Sequence, residues 1–287
     1  MKNLSQHALM FVLVFGLVAC NQHLGDSFDS QNTTGIINGQ IKTVRDTPAS
    51  KAVVMIELLN ARRGAITFCT ATLIGAHTIL TASHCFDPMV IPGLAGFRVL
   101  FENTYTTAGQ REVREGLAFV RNPDYNSKKV YDHDIAIGVF AGTIPQGFST
   151  VAIDNNINAN YSNMLTYAYG YGRTVDYTGA PNENLRYSTG TLYRGVLKID
   201  NFYKETPDRY YTLVDWPSHL CQGDSGGPQF YDKDGVLKVI GVNSASFGEK
   251  LPNGVQSCMG RSQATKVAPF FPWIKKEEKR LLQQALR

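Results

Sequence analysis

The apolar residues of this chain alternate. From Ile36 onward they recur with a period of two more often than 3.6, which puts successive side chains on opposite faces of extended backbone. Lys51 to Leu58 (KAVVMIEL), Thr67 to Ile74 (TFCTATLI), Phe97 to Phe101 (FRVLF), Asp134 to Phe140 (DIAIGVF), Leu165 to Tyr169 (LTYAY) and Val236 to Val242 (VLKVIGV) are rich in Val, Ile, Thr, Tyr and Phe. Gly, Pro, Asn and Asp bound them, so each is expected to be a strand. Gly170-Tyr171-Gly172 and Tyr177 to Asn184 read as turn or loop. Closely spaced strands without intervening helices argue for an all-β barrel or sandwich. The one convincing helix is terminal: Pro272-Trp273-Ile274 leads into KKEEKRLLQQALR, with Trp273, Ile274, Leu281 and Leu282 as its apolar set. With 43% hydrophobic and 18% charged residues among 287, the chain can bury a core as one large domain or two small ones. A net charge of +4 is too weak to argue for nucleic acid. Most of it sits in the terminal helix, where a solvated face explains it better than membrane-surface contact.

The N-terminus reads as an address. Ala8 to Val18 is eleven apolar or Gly residues without charge, about 16 Å as a helix, too short to span a bilayer and of signal-peptide length. It ends in Leu17-Val18-Ala19-Cys20, which resembles the bacterial lipobox. That resemblance implies residues 1–19 as a lipoprotein-type signal peptide, cleavage before Cys20, and acylation of Cys20 as a membrane anchor. Gln22 at the second mature position favours the outer membrane in a Gram-negative cell. Residues 20–35 are small and polar and read as a tether or pro-segment.

Three motifs carry chemistry. Cys221 to Pro228 is CQGDSGGP. A serine hydroxyl is a weak nucleophile that needs an adjacent base and backbone N–H groups aimed at the developing oxyanion. Gly223, Gly226 and Gly227 around Ser225 permit the tight turn and close substrate approach that this requires. Upstream, Thr81-Ala82-Ser83-His84-Cys85 follows an apolar strand and offers His84 as general base. Between them, Asp132-His133-Asp134-Ile135-Ala136 offers a carboxylate to orient an imidazole. Each has a structural reading alone; the order His, Asp, Ser is what makes them a set.

With TASHC, NPDYNS (Asn122 to Ser127), DHDIA, the Tyr169-Gly170-Tyr171-Gly172 region, GDSGGP and Thr265-Lys266-Val267 in register, the chain resembles the trypsin-like (chymotrypsin-fold) serine endopeptidases. The resemblance implies two six-stranded antiparallel Greek-key β-barrels, about 36–145 and 146–268, with a C-terminal α-helix at about 270–287, all within one peptidase domain over 36–287. It implies Ser225 as nucleophile, His84 as base then acid, Asp134 as orienting carboxylate, and the N–H groups of Gly223 and Ser225 as oxyanion hole. It implies disulfides Cys69–Cys85 and Cys221–Cys258, suited to an exported protein, which leaves Cys20 as the odd cysteine of five. It also implies a zymogen cut before Ile36, whose new amine would pair with Asp224. Gly35 in place of Arg or Lys argues against a trypsin-type activator. His219 falls at the base of the specificity pocket, and Ser244, Ser246 and Ser262 on its walls, which disfavours cleavage after Arg or Lys and suits acidic, small or polar side chains. Expected partners are protein or peptide substrates, with membrane contact only through Cys20 and a monomeric chain; no cofactor, metal or nucleic acid is expected. The rival readings are a catalytically silent homologue acting as an envelope binding protein, and a His/Cys metal protein. The latter is disfavoured because His7, His23, His77, His84, His133 and His219 make no HExxH and the cysteines no CxxC pair.

Overall fold

A computed structural model describes residues 36–37, 40–42, 45–105, 111–129, 131–181, 190–233 and 235–285. The expected signal segment, the acylation site Cys20 and the tether all lie outside the described residues. In chain order the elements are β1 (Gln40–Lys42), α1 (Pro48–Lys51), β2 (Val53–Leu59), β3 (Ala65–Gly75), β4 (Thr78–Thr81), β5 (Gly96–Leu100), β6 (Val113–Arg121), β7 (Ala136–Phe140), β8 (Ala152–Ile153), β9 (Leu165–Gly170), β10 (Tyr193–Lys198), β11 (Arg209–Tyr211), β12 (Pro228–Lys233), β13 (Val236–Phe247), β14 (Arg261–Lys266) and α2 (Phe271–Ala285). No described helix is long and apolar enough to cross a membrane.

Strands β2 to β7 close into a barrel in the order β2-β3-β4-β7-β6-β5, every pairing antiparallel. Its largely aliphatic core holds an aromatic cluster. Phe97 on β5 meets Phe86 at 5.1 Å and Phe119 at 6.3 Å between centroids, and Phe86 stacks on Phe119 at 4.3 Å. Room for the Phe97 ring comes from two strand glycines. A Cβ on Gly116 would lie 2.4 Å from it, and one on Gly138 2.8 Å.

The second half is a sheet of eight strands whose main path is β1-β10-β9-β12-β13-β14-β11, with β8 added against β13. Six of these, β9 to β14, repeat the first barrel's order: first, second, third, sixth, fifth, fourth. One join differs. Where β3 and β4 form a full ladder, β10 and β11 meet only at the bridge Ile199↔Thr212, just past both strands. Asp200 N donating to Tyr211 O (3.0 Å) and Leu213 N to Lys198 O (2.8 Å) flank it. The expected second ring is thus present as six strands closed by a single bridge, because β11 is only three residues long.

Helix α2 forms where expected, but it packs on the first half of the chain, against β6 and β7. Ile274 and Leu281 join the first barrel's core cluster, and Trp273 and Leu282 pack against it. Glu277 and Glu278, nearly buried on the same helix, pair with Arg280 and Lys275.

The packing around Phe97 yields a coupled prediction. Gly138→Ala should cost about 1–3 kcal/mol by overpacking, measured by urea unfolding. In a Phe97→Leu background the added methyl has space, and the penalty should shrink by more than half; equal penalties in both backgrounds would contradict this packing.

Candidate functional site

His84 sits in a 3-10 turn, Ser83–Phe86, directly after β4. Two links pin that turn. Cys69 on β3 is disulfide-bonded to Cys85, with Cα atoms 6.3 Å apart, and Ser83 Oγ donates to Ile135 O at 2.7 Å. Asp134 lies just before β7 and is fully buried. Its Oδ1 accepts the His84 backbone N–H at 2.8 Å, while its Oδ2 lies 2.7 Å from His84 Nδ1 and accepts Ser244 Oγ–H at 2.6 Å. A carboxylate surrounded by donors is an acceptor only, so the imidazole proton belongs on Nδ1, and Nε2 keeps its lone pair. Ser244 is on β13, so the two halves of the chain both hold this carboxylate.

Ser225 is presented by the loop before β12. Gly223 and Gly226 there have φ of 100° and 80°, values open to glycine and strained for other residues. The second disulfide, Cys221–Cys258, anchors the loop's entry with Cα atoms 5.2 Å apart. Thr70 on β3 reaches across from the first barrel: its N–H donates to Ser225 O at 2.8 Å and its hydroxyl to Gly223 O at 2.8 Å. With those carbonyls turned toward Thr70, the N–H groups of Gly223 and Ser225 have no acceptor among the described residues. Ser225 and His84 line one cleft of about 230 Å³. Ser225 Oγ makes no hydrogen bond to His84 in this structure, a bond that commonly tightens only with substrate.

Asp224 is completely buried. It accepts Gly172 N–H at 2.9 Å and Cys221 N–H at 2.9 Å, and no cation reaches it among the described residues. Burial outweighs these two bonds and pushes its carboxyl up to about 7. Ile36 is also buried, with φ of 40°, a strained value for a β-branched residue. It packs with Ala168, Leu197 and Leu220, while the next residue's carbonyl accepts His219 N–H at 3.0 Å.

The expected specificity residues divide. Ser244 and Ser246 line the cleft. His219 and Ser262 do not: the His219 ring turns its Nδ1 to Gly260 O at 3.0 Å, and Ser262 Oγ accepts Leu220 N–H at 3.2 Å. Their polar atoms hold the wall from behind. The cleft is lined instead by residues sequence reading did not single out, among them Tyr131, Gln222 and Gln256. Tyr131 packs its ring against His84 with centroids 5.1 Å apart. The signal available for it was its place three residues before Asp134; Gln256 and Thr70 had none. His77 and His133 lie outside this cleft and are half-buried, against Phe140 and Phe270 respectively.

Residues 37–274 match the family profile described as Trypsin. Trypsin CFT-1 of Choristoneura fumiferana is 27% identical over 251 residues, 83% of this chain and 89% of its own length. Trypsin, alkaline B of Manduca sexta is 29% identical over 232 residues, 76% of this chain and 83% of its own. The fibrinolytic enzyme isozyme C of Lumbricus rubellus is 24% identical over 217 residues, 72% and 86%.

The Asp224 carboxyl gives a pH prediction with a definite sign. The unfolded chain releases this proton near pH 3.8, the folded chain near 7. The stability it contributes is full below about pH 4 and is lost as pH rises to about 7, a swing of about 4 kcal/mol. In the uncut chain the Asp224 carboxyl ¹³C resonance should titrate near pH 7; titration near pH 4 would show the site to be solvated or paired with a cation.

Proposed function

Because the chain belongs to the trypsin family and is accordingly a serine protease, we propose that it is an endopeptidase in which His84, Asp134 and Ser225 act as a triad. One observation carries this reading: a buried carboxylate fixes His84 Nδ1, so that the imidazole shares a cleft with Ser225 beside two unpaired N–H groups. In the proposed reaction Ser225 Oγ attacks the scissile carbonyl and its proton passes to His84 Nε2. The Gly223 and Ser225 N–H groups hold the oxyanion, and Asp134 steadies the imidazolium. The leaving amine takes that proton as the acyl-enzyme forms. Water, deprotonated by His84, then releases the acid and restores Ser225. Tyr131 closes one face of the imidazole against solvent.

No carboxylate is among the residues lining the cleft, and Ser246, Gln222 and Gln256 make it polar without charge. This favours small or polar side chains before the scissile bond over Arg or Lys. For an acidic side chain, His219 would have to turn away from Gly260.

Activation by cleavage before Ile36 is part of the proposal. A buried carboxylate without a cation is costly, and a new ammonium at Ile36 would meet that need at Asp224. Combined with acylation at Cys20, one cut would activate the enzyme and free it from its membrane anchor, for a protein exported to the cell envelope.

The tests are direct. A fluorophosphonate should label Ser225, and Ser225→Ala and His84→Ala should each lower kcat by about four orders of magnitude or more; a folded wild-type chain that neither labels nor hydrolyses would be the silent homologue instead. Radioactive palmitate should label the precursor at Cys20. The N-terminus of the active form should read Ile-Ile-Asn-Gly; an active form beginning at Cys20 would refute the link between activation and release. A peptide library should show weak cleavage after Arg, and strong cleavage there would overturn the reading of the cleft.

A further inference from the structure

Tyr131 and His133 carry left-handed φ of 53° and 52°, a region that costs a non-glycine residue roughly 1–2 kcal/mol each. They bracket Asp132, and the next residue is Asp134. A loop with two such residues keeps its shape only where its surroundings over-determine it. Among the surroundings are two consecutive residues of the second half of the chain, Asp208 and Arg209.

Arg209, at the start of β11, ion-pairs through Nη2 with Asp132, and its Nε donates to Asp208 Oδ1 at 3.2 Å. Asp208 Oδ2 in turn accepts the His133 N–H at 3.4 Å, with His133 Nδ1 3.9 Å away. The Arg209 side chain is 16% exposed and that of Asp132 23%, so water screens this pair much less than an open surface bridge. Thr206 Oγ1 donates to Arg209 O at 2.7 Å. Lys266, on β14 beside β11, spends its Nζ on the carbonyls of Tyr203 and Thr206. The loop's own barrel holds it through Asn126 N–H donating to Asp132 O at 3.1 Å, and the grip from β11 comes from the guanidinium and the carboxylate beside it.

The other side of this loop carries both groups that touch His84: the Asp134 carboxylate at Nδ1 and the Tyr131 ring on its face. We propose that Arg209 is a positioning residue whose pairing with Asp132 fixes the loop and thereby sets the carboxylate and the aromatic ring that flank His84. The inference rests on the catalytic reading of His84 and Asp134. It assigns the second half of the chain a part in shaping the base, beyond supplying Ser225. A lysine at 209 would keep the charge but present it from one nitrogen, without the planar fork that meets Asp132 through Nη2 and Asp208 through Nε, so it should restore the arrangement only in part.

The experiment compares wild type, Arg209→Gln, Asp132→Asn, the double variant and Arg209→Lys. One readout needs no turnover: the downfield proton resonance of His84 Nδ1–H, which reports its bond to Asp134. The other is kcat and KM on a small ester, corrected for active sites by fluorophosphonate titration. Arg209→Gln should shift or broaden the resonance and lower kcat about tenfold with KM within about twofold, as a small misplacement of a reacting group does. Asp132→Asn should match it, the double variant should be no worse than either, and Arg209→Lys should recover part of the loss. A folded Arg209→Gln with the resonance unmoved and kcat unchanged would overturn the proposal, as would losses that simply add. If Arg209→Gln fails to fold, Asp132→Asn, which keeps the side chain's shape, decides by the same measures. If the wild-type chain neither labels nor hydrolyses, the catalytic reading falls, and the resonance alone still decides whether the clamp exists.

Discussion

Asp134 is a charge with no access to water, and much of the structure follows from satisfying it. Moving an ionised carboxylate out of solvent is prohibitive unless it is densely hydrogen-bonded. Its partners come from three places: the backbone of the 3-10 turn at His84, the imidazole on the same turn, and the Ser244 hydroxyl on β13. The first two tie the barrel's own strands together; the third reaches the other half of the chain. A shift of one half against the other would strip a buried anion of a donor, so this carboxylate makes their relative placement expensive to change.

Thr70 works in the opposite direction. It sits on β3 of the first barrel and bonds the backbone of the Ser225 loop at two points, holding the Gly223 and Ser225 carbonyls. The two halves therefore exchange supports: β13 steadies the Asp134 side, and β3 steadies the Ser225 side. Neither half could assemble this cleft alone, which is why its residues are so far apart in sequence.

What could be read from sequence follows a physical division. Strands whose residues are mostly buried and apolar announced themselves: β2, β5, β7 and β9 were all visible as alternating or continuous apolar runs. Strands built from polar or mixed residues were not. β14 (RSQATK) is largely buried, yet its residues are hydrogen-bonded rather than apolar, and β11 is too short to show a period. The repeated strand order of the two halves leaves no trace in local composition and was expected only through the motifs that carry the family resemblance. At the site, His84, Asp134 and Ser225 were legible because glycines and short motifs surround them. His219 was placed at the base of the pocket and Ser262 on its wall by position alone; which way a side chain turns depends on carbonyls such as Gly260 O, set by distant packing. Arg209 and Asp132 carried no signal, since an ion pair between residues 77 apart in sequence has no local signature.

The docking of α2 has a bearing on the order in which the chain can fold. The barrel made first has part of its core, around Ile274 and Leu281, supplied by the last element of the chain. During synthesis that barrel must wait for every strand of the other half before its apolar surface is covered. A chain halted before residue 271 would expose the β6 and β7 surface that α2 covers. Synthesis through α2, rather than pairing of the first barrel's strands, is what seals this part of the core.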